Sequence, residues 1–592
     1  MGLSRNEFNV LVALLGESAH TQRDLADKTG LSLGLVNKTY RALSDRSLAD
    51  GFRVTSDGLA ALAPYKVDNA VIMAAGLSTR FAPLSYERPK GVLKVRGEVL
   101  IERQIRQLQA AGIADITVVV GYMKEAFFYL EDLLGVKIRV NEEYAARNNN
   151  STLMLVREQL GNTYVCSSDD YFTQNVFEPY VYEAYYSGTY FAGPTDEYCM
   201  GTGTNGRIVN VTVGGSDSYG MLGHVYFDRS FSRRFVEILE QEYDRPETAQ
   251  KLWEDIYVDH LKDLSMVLRP YEPGVIYEFD SLADLKEFDH DFLQNVDSEI
   301  LDNICRTLDC TRDDVEGIVP IKEGLTNLSF RFTVGSTPYV YRHPGAGTEE
   351  IINRRSEAYS QSVAKRLGID DTFIYQDPDK GWKISRFVDG CEPFDYHDQG
   401  QVAHAMELIR RLHASGESSE WTFAIYEEAQ GLVRMLGQRR YPSFPDFEKL
   451  KGRAERLSAC VRADGVAACL CHNDFYGPNF LVRGDEMYLI DWEYSAMSDY
   501  ASDLGTFICC SDYDRAEADQ AIARYFGREP TAQEYRHCLA YVGLSAYYWF
   551  VWALYKESKG DPVGEWLYLW YRATKEYSTA ALELYSQMAH VS

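Results

Sequence analysis

Cys469–Val482 reads CLCHNDFYGPNFLV, and Met487–Tyr494 follows it with MYLIDWEY. The first segment is a short apolar run that breaks into a polar loop; the second returns to an apolar strand ending in an acid. In chemical terms, Asp474 is placed to orient and deprotonate an alcohol. Asn479 offers a carbonyl oxygen to magnesium, and Asp491 is a second metal ligand at a strand end. His472 supports the loop. Strands are expected upstream, at Ser329–Val334 and Tyr339–Arg342, and a strand pair near Val482 and Tyr488 precedes long helices. That order predicts a small strand-rich lobe followed by a larger helical one.

The spacing H-x-D-x-x-x-x-N, with an ID pair ending twelve residues after Asn479, resembles the kinase-like phosphotransferases, among them choline/ethanolamine kinases and aminoglycoside phosphotransferases. The resemblance implies a bilobal α+β protein-kinase-like fold over residues 298–592, with ATP as substrate and Mg2+ as cofactor. In KEGLTNLSFRF, Gly324, Thr326, Asn327 and Ser329 form a turn covering phosphate. Arg342 in YVYRHPG takes the place of the usual kinase lysine, with Glu357 as its helix-borne partner. The plainer alternative for Glu357 is a surface i,i+3 pair with Arg354. YYWFVWALY sets Trp549 and Trp552 one helical turn apart, a W-x-x-W that matches choline kinases. Tyr571 in LWYRATKEY adds a third wall, and Glu493 and Asp499 supply negative charge toward a quaternary ammonium. The alternative for the tryptophans is a stripe packed in the core.

Working toward the amino terminus, AVIMAAG (Ala70–Gly76) reads as a buried parallel strand, an amphipathic helix spans Leu100–Ala111, and ITVVVGY is the next strand. KIRVNEEY, NTYVCSSDDYF and HVYFD continue the alternation. An α/β, Rossmann-like domain with a largely parallel sheet is predicted over 67–292, and the acidic helical stretch Asp289–Val315 is the connector. The turn Ala75-Gly76-Leu77-Ser78 lets backbone N–H groups approach a phosphate, while Arg80 and Lys90 neutralise a triphosphate. This loop with the Pro89-Lys90 pair resembles the signature of the nucleotidyltransferases that make nucleoside-diphosphate sugars and alcohols; Ser78 stands where many members have a second glycine. The resemblance implies Asp169 and Asp280 as magnesium ligands. GYMKEAF, EEYAARNNNSTLML and IYEFDS look like bacterial CTP:phosphocholine cytidylyltransferases. On that likeness Tyr198, Asp255, Tyr257 and Asp259 face the choline group, with a Tyr at Tyr198 where a Trp is expected.

Residues 1–66 read as helices: Phe8, Leu11, Leu14 and Leu15 keep helical spacing, Thr21 opens a second helix that stops at Gly30, and Ser32 caps a third. Leu48–Thr55 forms a small β-wing. TQRDLADKTGLSLGLVNKTYRALSDRSL resembles the winged helix-turn-helix domains of bacterial regulators. Lys38, Arg41 and Arg46 are its candidate phosphate contacts on DNA, and the alternative is a docking or dimerisation module.

Composition bounds all of this. A chain of 592 residues exceeds one core. Its 60 Lys and Arg against 88 Asp and Glu give −28, which disfavours broad attraction to nucleic acid or anionic lipid. Any anion site is therefore local. The eleven cysteines show no zinc-ligand spacing, with Cys469/Cys471 and Cys509/Cys510 the close pairs, so reduced thiols in a cytoplasm are expected. No signal core opens the sequence, and the most apolar run, Ser545–Tyr555, is too short to span a bilayer. The combined expectation is a bifunctional transferase, with choline and ATP giving phosphocholine, and phosphocholine and CTP giving CDP-choline and pyrophosphate. The rivals are a sugar-1-phosphate nucleotidyltransferase fused to a sugar or aminoglycoside kinase, and a choline-responsive transcription regulator.

Overall fold

The computed structural model describes residues 2–16, 20–321, 327–345, 352–437, 444–560 and 562–589. The chain divides into two compact units, Met1–Cys305 and Arg306–Ser592. The break falls inside the expected connector Asp289–Val315, later than the boundaries drawn at 292 and 298. The start of the helix Glu299–Leu308 is held to the first unit by Glu87, which accepts from the Ser298 hydroxyl at 2.5 Å and the Ile300 N–H at 3.1 Å. The amino-terminal helices also belong to this unit and are not separate from it.

The first unit is organised by a seven-stranded sheet. Its strands are β1 (Asn69–Ala74), β2 (Ile116–Val120), β3 (Lys137–Val140), β4 (Thr163–Ser167), β5 (Tyr185–Thr202), β6 (Ile208–Phe227) and β7 (Val267–Tyr271), in the order β7-β5-β6-β4-β1-β2-β3. Pairing is parallel through β4-β1-β2-β3 and between β5 and β7, and antiparallel at β5-β6 and β6-β4. Both faces are covered, so β1 is apolar at nearly every position. Ala70, Ile72 and Ala74 pack toward Ile101, Ile105 and Leu108 of the helix Leu100–Ala110, while Val71 faces Phe231, Phe235 and Trp253 on the other side. The long β5-β6 hairpin is absent from the sequence expectation. Its outer half alternates buried and exposed positions without a hydrophobic run to announce it.

Three helices, Arg5–Leu15, Gln22–Thr29 and Leu33–Asp45, and a ribbon pairing Ala49–Asp50 with Arg53–Val54 precede the sheet. Ser4 and Thr21 make capping boxes with Glu7 and Asp24, and Gly30 ends the second helix at φ 68°. The ring of Phe8 lies 5.2 Å from that of Tyr65 and 5.4 Å from that of Tyr182, which joins the helices to the sheet domain.

The second unit carries a five-stranded antiparallel sheet of β8 (Val315–Pro320), β9 (Asn327–Val334), β10 (Thr337–Pro344), β11 (Phe373–Gln376) and β12 (Lys383–Arg386), in the order β8-β9-β10-β12-β11. Helices follow. The run expected at Ser545–Tyr555 is part of a 27-residue helix, Ala532–Ser558. By length and composition this helix could cross a membrane, yet 78% of its most apolar window is buried within the protein, the position of a core helix. The helix Ala501–Cys509 packs on it closely: a Cβ at Gly505 would stand 2.5 Å from the Tyr541 carbonyl oxygen.

Candidate active sites

In the first unit, β1 ends in the turn that bears Gly76 and Ser78, and a cleft of about 630 Å3 opens there. Gly76, Ser78, Arg80, Lys90, Asp169 and Asp280 all line it, as does Ala75. Ser78 sits at φ 49°, ψ 43°, the left-handed conformation that a glycine takes without strain, which gives the departure at this position a conformational meaning. Two carboxylates far apart in sequence meet because a short antiparallel pair, Asp170–Phe172 with Ile276–Glu278, sets Asp170 opposite Glu278. Asp169 precedes one strand and Asp280 follows the other.

Each carries a cation. Lys90 Nζ is 2.7 Å from Asp169 Oδ2 and lies 4.5 Å from the Phe81 ring centroid, nearly buried; the exposed Arg80 reaches Asp280 Oδ1 at 2.8 Å. Sequence reasoning missed the neighbours Asp170 and Glu278. Burial, then Glu278 and Asp169, push the Asp170 carboxyl well up, and burial, then Asp169, raises Glu278. Neither Asp170 oxygen has a hydrogen-bond partner. Asp169, Glu278 and Asp280 line the cleft with Asp170 buried beside them, oxygen donors of the kind that would suit a divalent, oxygen-seeking ion.

The expected choline group divides. Tyr198 donates to Asp255 Oδ1 at 2.8 Å, so those two are together, but Asp255 Oδ2 also accepts from the Leu252 N–H at 2.8 Å and caps a helix. Tyr257 is a correction: it is fully buried against Phe231, with ring centroids 6.0 Å apart, because it faces the core side of the helix Trp253–Asp259. Asp259 is exposed and salt-bridged to Lys251 at 2.7 Å. Glu254, not foreseen, accepts from Asn149 at 3.2 Å and from Tyr186 at 3.5 Å, and burial pushes its carboxyl up to about 7.

In the second unit, Asp474 and Asn479 are joined directly, since Asn479 Nδ2 donates to the Asp474 carbonyl at 2.8 Å and to its Oδ2 at 2.9 Å. This fixes the amide so that its oxygen is left for a cation. Asp491 adopts φ 66° and keeps a partly exposed carboxylate, which suits a magnesium ligand. Burial, then Asp491, raises the Asp474 carboxyl well above the carboxylate range. His472 does support the loop: one ring nitrogen, Nε2, meets the Ile490 carbonyl at 3.0 Å and the other, Nδ1, accepts from the Asp474 N–H at 3.3 Å. Burial lowers its pKa to about 4, so it stays neutral. The loop hangs on Asp503, which sequence reasoning missed. Its carboxylate accepts from the N–H groups of His472 at 2.9 Å and Asn473 at 2.5 Å, and meets His413 Nε2 at 2.8 Å.

Arg342 on β10 is buried and pairs with Glu357. The alternative partner is present as well, with Arg354 Nη1 3.0 Å from Glu357 Oε2. Burial alone would raise Glu357, but Arg342, Lys383 and Arg354 hold it well below the ordinary range. Lys383, directly across the sheet from Arg342, was also missed. Of the turn residues, Gly324 and Thr326 lie outside the described residues, and Asn327 opens β9.

The tryptophans pack as the core alternative has it, with Trp549 buried and Trp552 half-buried against the same cluster. Trp549 and Trp552 stand edge to face at 5.5 Å, and Trp549 is 6.0 Å from Tyr494, three residues beyond Asp491. The third ring beside Trp549 is the buried Trp570, at 5.8 Å, and not Tyr571. Tyr571 turns to Phe444 and Phe550 and donates to Asp446 at 2.8 Å. Nor do the two predicted acids face a ligand. Glu493 is buried between Arg342 at 3.1 Å and Arg354 at 2.9 Å, and Asp499 meets His537 at 2.9 Å.

A family model described as the MobA-like NTP transferase domain matches residues 70–184, and one described as the Phosphotransferase enzyme family matches residues 317–538. The chain is 37% identical over 229 residues to the 2-aminoethylphosphonate cytidylyltransferase of Lancefieldella rimae, a match covering 38% of this chain and 93% of that protein. To the choline-phosphate cytidylyltransferase of Streptococcus pneumoniae it is 32% identical over 220 residues, covering 37% of this chain and 96% of the relative. A solved choline kinase from Streptococcus pneumoniae is 24% identical, covers 47% of this chain and 98% of its own, and superposes with a TM-score of 0.41.

Proposed function

The chain belongs to the cytidylyltransferase family through its first unit, carries a phosphotransferase-family unit after it and is a transferase; on that premise we propose that it makes CDP-choline in two steps. The second unit transfers the terminal phosphoryl group of ATP to choline, and the first joins phosphocholine to CTP with release of pyrophosphate. The observation that supports this reading is two sets of acids and cations in one chain, Asp169/Asp280 with Lys90 and Arg80, and Asp474/Asn479/Asp491 with Arg342. In the second unit, Asp474 holds the acceptor hydroxyl and takes its proton, while the half-buried Trp552, braced by the buried Trp549 and Trp570, offers a ring face to a cation that donates no hydrogen bonds. In the first, Lys90 and Arg80 offset triphosphate charge. Magnesium, held by Asp169 and Asp280 or by Asn479 and Asp491, would supply charge neutralisation at the phosphate under attack.

A second reading rests on Glu254, whose carboxylate behind the cleft suits an ammonium that donates hydrogen bonds. The first unit would then take a primary aminoalkyl acceptor, as the relative from Lancefieldella rimae does by its name. An alcohol kinase makes a phosphate ester, never a carbon–phosphorus bond, so the fused second unit favours phosphocholine or phosphoethanolamine over a phosphonate.

Incubation with choline or ethanolamine, ATP, CTP and magnesium, with products weighed by mass spectrometry, tests both readings. Asp474→Asn should abolish alcohol phosphorylation and spare cytidylyl transfer, and Asp169→Ala should do the reverse. Equal loss of both half-reactions in a folded variant contradicts the independent sites.

Residues 1–66 are read as a winged helix-turn-helix. Lys38 and Arg41 are exposed, whereas Arg46 is tied to Glu7 at 2.6 Å. Salt-sensitive binding to duplex DNA would support that role, and its absence would leave docking. A reducing, cytoplasmic setting fits a chain whose eleven cysteines are thiols.

A further inference from the structure

Behind the catalytic loop of the second unit, the strand Cys469–Cys471 places two thiols on one face. Their sulfurs are 3.7 Å apart. His413, at the end of the helix Gln399–His413, brings its imidazole to them, and the three donor atoms lie within 4.8 Å of one another. No spacing along the chain announces the group, since tertiary packing alone brings the histidine to the thiols.

We propose that Cys469, Cys471 and His413 form a binding site for a thiophilic d10 cation of the zinc type, with the Tyr525 hydroxyl as the fourth donor. The geometry argues for it in three ways. Two thiolates each about 2.3 Å from a tetrahedral ion stand roughly 3.8 Å apart, the spacing the free thiols already keep. His413 Nε2 meets the Asp503 carboxylate at 2.8 Å and so carries its proton there, which leaves Nδ1 as the lone-pair nitrogen. That carboxylate–imidazole arrangement is the outer support that metal-bound histidines commonly have. Tyr525 donates its hydroxyl to Nδ1 at 2.9 Å, and its ring stacks on Tyr500 at 5.4 Å, so an oxygen donor stands beside the histidine nitrogen and its hydrogen bond is given up when Nδ1 takes the ion.

Binding forms two S–metal, one N–metal and one O–metal bond, breaks two S–H bonds and the hydrogen bond from Tyr525 to His413, and releases both thiol protons to solvent while the hydroxyl keeps its own. Cys471 is fully buried, and Cys469 is half-buried, so the ion enters from the Cys469 side. The bound ion would clamp the helices Gln399–His413 and Arg515–Phe526 to the strand that leads into Asp474.

The test uses the full chain stripped with a chelator and titrated with Co2+, then with Zn2+. One equivalent of cobalt should develop thiolate-to-cobalt charge-transfer absorption, which zinc abolishes, and the Cys469→Ser/Cys471→Ser variant should lack it. Because that variant can fail to fold, alkylation of the unmodified chain is mapped by mass spectrometry in parallel. Zinc should slow labelling of Cys469 by roughly tenfold or more. Cobalt absorption without thiolate character, absorption retained in a folded double variant, or Cys469 labelling at the same rate with and without zinc would overturn the site.

Discussion

Asp503 offers the sharpest probe of how the phosphotransfer loop is held. Its carboxylate is buried and accepts two backbone N–H groups, from His472 and Asn473, immediately before Asp474. Asp503→Asn keeps the shape but replaces one acceptor oxygen by an NH2 that faces a donor, and it removes the charge. A hydrogen bond to a charged group contributes about 1.5–3 kcal/mol, so losing one should loosen the loop by that amount. Expressed entirely in the transition state, that is roughly a 10- to 150-fold fall in kcat for alcohol phosphorylation. KM for ATP should change little, because Arg342 and Glu357 are held by other contacts. Both half-reactions would be measured on one preparation alongside a thermal melt. Undiminished phosphorylation, or an equal fall in cytidylyl transfer, would refute the reasoning that Asp503 acts by anchoring this loop alone.

Trp552→Leu should weaken apparent choline binding by up to about thirtyfold, the value of one cation–ring contact, and reduce discrimination against ethanolamine; equal losses for choline, ethanolamine and ATP would make the ring mere packing. Ser78→Gly should raise the melting temperature of the first unit through about 1 kcal/mol of relieved left-handed strain, read by differential scanning calorimetry. His224 is buried beside Tyr185 at 2.9 Å, and burial lowers its pKa from 6.5 to about 3. The unfolded chain therefore binds the extra proton between those values. The stability His224 confers is complete above pH 6.5 and is lost as pH falls toward about 3. Denaturant melts across that range should show a shallower acid loss in a folded His224→Gln variant, by up to about 1.4 kcal/mol per pH unit.

The motifs were legible where the chemistry is local in the chain. Asp474, Asn479 and Asp491 sit on one strand–loop–strand passage, so reading the passage reads their neighbourhood. Asp169 and Asp280 were legible only through likeness, and the short strand pair that unites them supplies the reason they meet. What failed did so for identifiable causes. Tyr571 and Trp570 are one residue apart, about 100° around a helix, and periodicity without the neighbouring helix does not set that rotation. Glu493 and Asp499 have the right sign and place in sequence but are claimed by Arg342, Arg354 and His537, cations from other elements. Asp503 was hidden because its partners are backbone N–H groups, which every residue but proline offers.

The charge of −28 poses a problem that the two sites solve in the same way. Nucleotides are polyanions, and an acidic chain repels them at long range, but screening at physiological ionic strength limits that field to about 8 Å. Inside that distance the local inventory decides. Lys90 and Arg80 stand against Asp169 and Asp280 in one unit. Arg342, Arg354 and Lys383 stand around Glu357 and Glu493 in the other. In both, the cations are already paired with acids, so under the proposed function a nucleotide would exchange partners within a site already balanced. Burial separates these pairs. Lys90 and Arg342 are enclosed with their acids, while the Arg80–Asp280 pair is exposed, so under the proposed function Arg80 is the cation that would turn to a phosphate and Asp280 the carboxylate that would be freed.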